Sequence, residues 1–154
     1  MLIPEFYFPA TIALVWPEHL PSGVGSRLKD FYREFIRLLL NEDIKILLLY
    51  CEKNDLQKLK NLFDQHNITF HFEPNVSDIW IRDFGPFFTI EESKLKPVKA
   101  LYQPSYGYSS KEYEWFAKNN QVGIDLIRPI PEKVEFNGNE LVLDGGNFIH
   151  NRFG

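Results

Sequence analysis

The stretch Asp78-Ile79-Trp80-Ile81-Arg82-Asp83-Phe84-Gly85-Pro86-Phe87-Phe88 decides how the chain is read. It sets carboxylates, a guanidinium and an indole into a short apolar run, then interrupts it at Gly85-Pro86 before resuming with two phenylalanines. Read as a strand, it points Trp80 and Arg82 to one face and Ile81 and Asp83 to the other. Charges withdrawn from water must find partners. Two readings follow: Arg82 forms a structural ion pair with Asp78 or Asp83 at a strand end, or a carboxylate beside an indole receives a planar cation by bidentate hydrogen bonds and stacking.

Working toward the N-terminus, Ile68-Thr69-Phe70-His71-Phe72 alternates as a half-buried strand does. Before it, Leu56, Leu59, Leu62 and Phe63 supply the buried stripe of a helix, with Asn54 and Gln57 spaced as a capping box. Ile44 to Tyr50 is apolar apart from Lys45, the pattern of a strand covered on both faces in a parallel sheet. From Leu28, apolar residues recur at Phe31, Tyr32, Phe35, Ile36 and Leu39, the stripe of an amphipathic helix. A Pro/Gly/Ser segment, Pro17 to Ser26, reads as the loop before it, and Thr11 to Trp16 as a buried strand closed by Pro17.

Toward the C-terminus, Val98 to Tyr102 reads as a short strand, and Ser109 with Glu112 can cap a helix carrying Tyr113, Trp115 and Phe116. Val134-Glu135-Phe136 and Leu141-Val142-Leu143 flank Asn137-Gly138, a strong hairpin signal. Asp144-Gly145-Gly146-Asn147 then places a carboxylate before two residues without Cβ, where other groups can approach closely. Alone, that segment reads equally as a bulge or loop with a solvated Asp. Strands alternating with helices, with no Pro/Gly linker between them, predict an α/β fold over residues 1–154 as a single domain, with a loose helix-strand repeat that hints at a modular, propeller-like assembly.

With 154 residues, 44% of them hydrophobic, the chain has ample apolar material for a core, which excludes a disordered protein. A net charge of −4 without a Lys/Arg stripe argues against nucleic acid as a partner. The single cysteine, Cys51, cannot form an internal disulfide. No run is long and apolar enough for a membrane span, and the apolar start carries Glu5, Pro4 and Pro9 without a basic flank, so the expected compartment is the cytoplasm. The four histidines, His19, His66, His71 and His150, are scattered; neither a metal nor another cofactor is expected.

Together these segments resemble a known family. Trp80-Ile81-Arg82-Asp83-Phe84-Gly85-Pro86 is similar to the Trp-x-Arg-Asp-x-Gly-Pro signature of the agmatine deiminase and bacterial-type peptidyl-arginine deiminase family. Leu141-Val142-Leu143-Asp144-Gly145-Gly146-Asn147 resembles its apolar-apolar-acid-Gly-Gly segment. Tyr102-Gln103-Pro104-Ser105-Tyr106-Gly107 resembles its aromatic-Asn-x-x-aromatic-Gly stretch, with Gln103 in place of Asn. Ala13-Leu14-Val15-Trp16-Pro17 is similar to its opening strand.

The resemblance implies about two to three modules of a fivefold pseudo-symmetric α/β propeller and a hydrolase that converts a guanidinium into a ureido group and ammonia. Asp83 would hold the guanidinium, Trp80 would wall its pocket, and Asp144, where the family usually has Glu, would orient the catalytic histidine. Family members are roughly twice this length, and their His-x-Asp pair and nucleophilic cysteine have no match here. Agmatine is the first expected substrate, arginine or peptidyl-arginine the next, and the chain alone is expected to be inactive. Cys51, between a strand and a helix, occupies a place where a thiol pKa can be lowered, but it does not match the family nucleophile and reads better as a structural thiol. The alternative is a non-catalytic α/β binding module that keeps the motif. Open sheet edges would then favour a homo-oligomer or a complementary C-terminal half as partner.

Overall fold

The computed structural model describes residues 11–18, 20, 22–63, 66–91, 94–102, 110–128 and 134–135. The chain divides into two compact units, the boundary falling between Ile79 and Trp80, inside the stretch quoted above.

The first unit is built on a parallel sheet of three strands, β1 (Thr11–Val15), β2 (Lys45–Tyr50) and β3 (Ile68–Phe72), in the order β1-β2-β3. β2 lies in the centre, which is why its sequence lacks alternation: Ile46, Leu48, Leu49 and Tyr50 are all buried. Parallel neighbours require crossovers. They are α1 (Ser22–Asn41) and α2 (Asp55–Leu62). Tyr32, Ile36 and Leu39 of α1 meet Ile46 and Leu48 of β2, Leu59 of α2, and Trp16, Phe63 and Ile68 in one core. Burying a side chain such as Ile36 or Leu48 completely contributes roughly 1.5–3 kcal/mol, so α1 is held by its stripe.

The helix begins earlier than its composition suggests, at Ser22 inside the expected loop. Gly25 explains part of this. It is buried, and a Cβ there would sit 3.0 Å from the Leu20 carbonyl oxygen, so glycine lets the first turn approach that segment without displacing it. At the other end Asp43 adopts φ 58°, reversing the chain while the Ile44 N–H donates to the Leu39 carbonyl. An αL residue of this kind closes helices, and Asp is among the few non-glycine residues that tolerate it; its Oδ1 accepts from Nδ2 of Asn67, just before β3, at 2.6 Å. The capping box expected at Asn54 does not form: Asn54 is in the αR region with no side-chain capping bond. Asp55, at the first helical position, instead pairs with Lys58 at 2.9 Å.

The second unit contains α3 (Ile81–Phe84), β4 (Phe87–Glu91), β5 (Lys94–Lys99), α4 (Ser110–Ile127) and β6 (Val134–Glu135). β4 and β5 form an antiparallel pair, Phe87 opposite Val98, and β6 runs parallel to β5 in the order β4-β5-β6. β5 therefore starts before the expected Val98 and ends at Lys99. α4 is the crossover between the parallel strands, as the apolar residues around Trp115 and Phe116 lead one to expect. Val134 joins this sheet through β5, whereas Leu141–Leu143, its expected hairpin partner, lies outside the described residues. The Ser109 cap lies outside them too. Among the described residues, no helix is long and apolar enough to cross a membrane.

Candidate guanidinium-binding turn

The residues 80–83 are not a strand. Ile81 to Phe84 form a single helical turn: the Asp83 N–H donates to the Trp80 carbonyl at 2.8 Å and the Gly85 N–H to the Ile81 carbonyl at 2.7 Å. The competing principle is local. Gly85 permits a tight closure in which a Cβ would lie 2.5 Å from the Ile81 oxygen, and Pro86 then forces the chain out. The consequence for the site is direct. In a strand Trp80 and Asp83 would point to opposite faces, but residues three apart around a turn are neighbours.

Trp80 stands at the start of the turn, 62% exposed, and Asp83 is half-buried. Arg82 between them is exposed and Phe84 is fully buried. Phe84 anchors the turn against Tyr102, ring centroids 6.2 Å apart, and Tyr102 packs edge-on to Phe116 of α4 at 5.4 Å. An indole and a carboxylate are thus held on a turn whose inner side is fixed by aromatic packing. Such a pair can accept a planar cation, the carboxylate through hydrogen bonds and the ring through its face. Asp78 does not share this turn. It is buried in the first unit, where its Oδ1 accepts from the Ile79 N–H at 2.6 Å and its charge helps burial raise the pKa of Tyr32.

Three residues that the sequence did not single out support the turn. Asn120 of α4 clamps Tyr102 at both backbone groups, accepting from its N–H at 2.7 Å and donating to its carbonyl at 2.8 Å. Lys99 is buried, and its ammonium donates to the Ala100 carbonyl and, at 2.9 Å, to Asn120 Oδ1. Loss of hydration pulls the Lys99 pKa down to about 8. Gly123 lets α4 come close to the turn, since a Cβ there would lie 2.4 Å from the Phe84 carbonyl oxygen. A lysine inside the apolar run from Val98 to Tyr102 was the one signal available in the sequence.

Asp144 lies outside the described residues, as do His150 and the stretch Gln103 to Gly107. Cys51 follows β2 and is half-buried; burial first, then Glu52, Asp55 and Glu18, push its thiol pKa up, which corrects the expectation that this position can lower it. A protonated thiol is a poor nucleophile, so the structural reading of Cys51 fits its surroundings. Trp16, at the end of β1, is a core residue: it packs edge-on to Tyr32 and Phe63, and its indole N–H donates to Glu18 at 3.1 Å. Among the described residues, no cluster of His, Cys, Asp and Glu is arranged to hold a metal ion.

The sequence pattern of the Porphyromonas-type peptidyl-arginine deiminases matches residues 1–154. The chain belongs to that family. No curated protein matches it. Among solved structures, an agmatine deiminase of C. jejuni is similar at 23% identity and a TM-score of 0.71, the match covering 94% of this chain and 41% of that one. The agmatine deiminase of Enterococcus faecalis is similar at 16% identity and a TM-score of 0.71, covering 97% and 40%. A structure from Porphyromonas gingivalis described as a putative arginine deiminase is similar at 14% and 0.63, covering 94% and 42%. This deiminase-family chain therefore carries part of the fivefold pseudo-symmetric α/β propeller of the guanidine-modifying enzymes, and it spans about two fifths of the length of the structures it matches.

Proposed function

We propose that this chain is the guanidinium-binding N-terminal part of a hydrolase that deiminates a guanidinium compound, agmatine to N-carbamoylputrescine and ammonia first, arginine or peptidyl-arginine next. The observation that carries the reading is the turn that sets Trp80 and Asp83 side by side in a chain whose whole length matches a deiminase family. In the proposed reaction a cysteine thiolate adds to the guanidinium carbon, ammonia leaves with a proton from a histidine, and water then releases the ureido product and regenerates the thiol. Asp83 holds two guanidinium nitrogens and so fixes the plane against the nucleophile, Trp80 covers one face, and Asp144 orients the histidine. The nucleophile and the histidine come from a C-terminal part. The proposed compartment is the cytoplasm, in keeping with a single, unpaired cysteine.

A second reading is favoured by one observation. The chain's single cysteine is held protonated by burial and by three carboxylates, which suits a module that binds a guanidinium without turning it over. Calorimetric titration with agmatine, arginine and a peptidyl-arginine tests binding. Assay for ureido product, by the 154-residue chain and by the chain supplemented with the C-terminal remainder of a family member, tests turnover. Binding without turnover by the chain, with turnover restored on supplementation, supports the first reading; binding that supplementation never converts into turnover supports the second; absence of binding to any guanidinium overturns both.

A further inference from the structure

The outer side of α1 carries apolar residues that the core does not use. Val24, Phe31 and Leu38 are spaced seven apart and are 63%, 59% and 63% exposed. Leu28 and Phe35 lie between them, half-buried at the edge of the core, and Phe35 stacks on Phe31 with ring centroids 5.7 Å apart. The series 24, 28, 31, 35, 38 alternates steps of four and three, the spacing of a two-helix seam, and shares Leu28 and Phe35 with the stripe laid on the sheet. A shallow depression lined by Gly23, Val24, Arg27, Leu28 and Phe31 lies over the N-terminal half of the seam. Exposed apolar surface organised in this way marks an interaction site.

The charges beside the seam identify the occupant. On one side of it the helix turns into its own core at Tyr32 and Leu39. On the other side stand Arg27 and Glu34, of opposite sign and one heptad apart. Arg27 is exposed and makes no ion pair among the described residues, whereas Glu34 makes only the exposed pair with Arg37 at 2.9 Å. In an antiparallel pair of identical helices these flanking positions face one another. Arg27 then meets the partner's Glu34, and the same contact recurs across the two-fold axis, with Val24 layered on the partner's Phe35 and Leu28 on the partner's Phe31. A parallel pair would bring Arg27 toward Tyr32 and Glu34 toward Leu39, both buried, and would satisfy neither charge.

We infer that the outer face of α1 is a self-association surface on which a second copy of this chain docks its own α1 antiparallel, Arg27 against Glu34. The surface is independent of the guanidinium chemistry of the other unit. Sedimentation equilibrium on the full chain, up to about 100 µM, reads the dimer. Phe31→Asp places a charge in the middle of the seam at an exposed position, so the melting curve, recorded at a dilution where the parent is monomeric, stays near that of the parent while the dimer is lost. Arg27→Glu and Glu34→Arg each raise Kd about tenfold, and the double reversal returns it to within about threefold of the parent. A chain that stays monomeric throughout, a dimer indifferent to Phe31→Asp, or a double reversal no better than either single change overturns the inference.

Discussion

The Asp83 N–H donates to the Trp80 carbonyl oxygen over 2.8 Å, and this one backbone bond turns the two residues from opposite faces of a strand into neighbours on a helical turn. Their adjacency is what a planar cation requires.

Asp83→Asn removes the charge while keeping the shape, and agmatine affinity should fall about 10- to 100-fold, the scale of a charge-assisted hydrogen bond. Trp80→Ala should cost about 3- to 30-fold, the range for an exposed to partly desolvated cation–π contact. Because Trp80 is 62% exposed, its loss leaves the melting temperature almost unchanged. Equal affinity in the parent and in Asp83→Asn, measured by calorimetry, would remove this turn from the site.

Gly85→Ala and Gly123→Ala test the scaffold instead of the contact. A Cβ at Gly85 lies 2.5 Å from the Ile81 oxygen and one at Gly123 lies 2.4 Å from the Phe84 oxygen. Neither neighbour can yield without moving the backbone of the turn. Each change should destabilise the unit by about 1–3 kcal/mol and weaken agmatine binding in parallel. Chemical denaturation, with binding measured below the transition, checks both.

Lys99 gives a pH dependence with a definite sign. Its folded pKa, about 8, lies below the ordinary lysine value of 10.5, so between these values the unfolded chain binds more protons than the folded one. Its contribution therefore makes stability rise with pH across that window: the penalty of burying the charged ammonium is present in full below about 8 and gone above 10.5. In Lys99→Met that rise should be absent. Denaturant midpoints of the two proteins across the window give the answer, and parallel curves would refute it.

Cys51 should behave as a slow thiol. With burial and neighbouring carboxylates holding it protonated at neutral pH, alkylation by iodoacetamide should run slower than for free cysteine and accelerate as the pH is raised. Cys51→Ser should leave agmatine affinity within about twofold. Rapid labelling at pH 7 would show that the thiol is activated after all.

Asn120→Ala leaves the Tyr102 N–H and carbonyl without their shared partner. Unmade hydrogen bonds to buried groups cost about 1–3 kcal/mol each. The loss should appear as a lowered melting temperature together with weaker agmatine binding, because Tyr102 supports Phe84.

The sequence by itself determined the family, through Trp80-Ile81-Arg82-Asp83-Phe84-Gly85-Pro86, and the parallel first sheet, through the unbroken apolar run of β2 and the helical stripe that ends at Leu39. These are periodic signals, repeated over many residues, so a single exception such as Lys45 does not disturb them. What it did not determine was the conformation of the motif. Over four residues a strand and one helical turn present almost the same pattern, and the choice rests on a contact between Gly85 and Ile81 that periodicity does not encode. The role of Lys99, Asn120 and Gly123 was hidden for the same reason. They lie 15 to 40 residues beyond the turn in the chain and are joined to it only by packing, so the tertiary structure alone decided that Trp80 and Asp83 stand together and that α4 supports them.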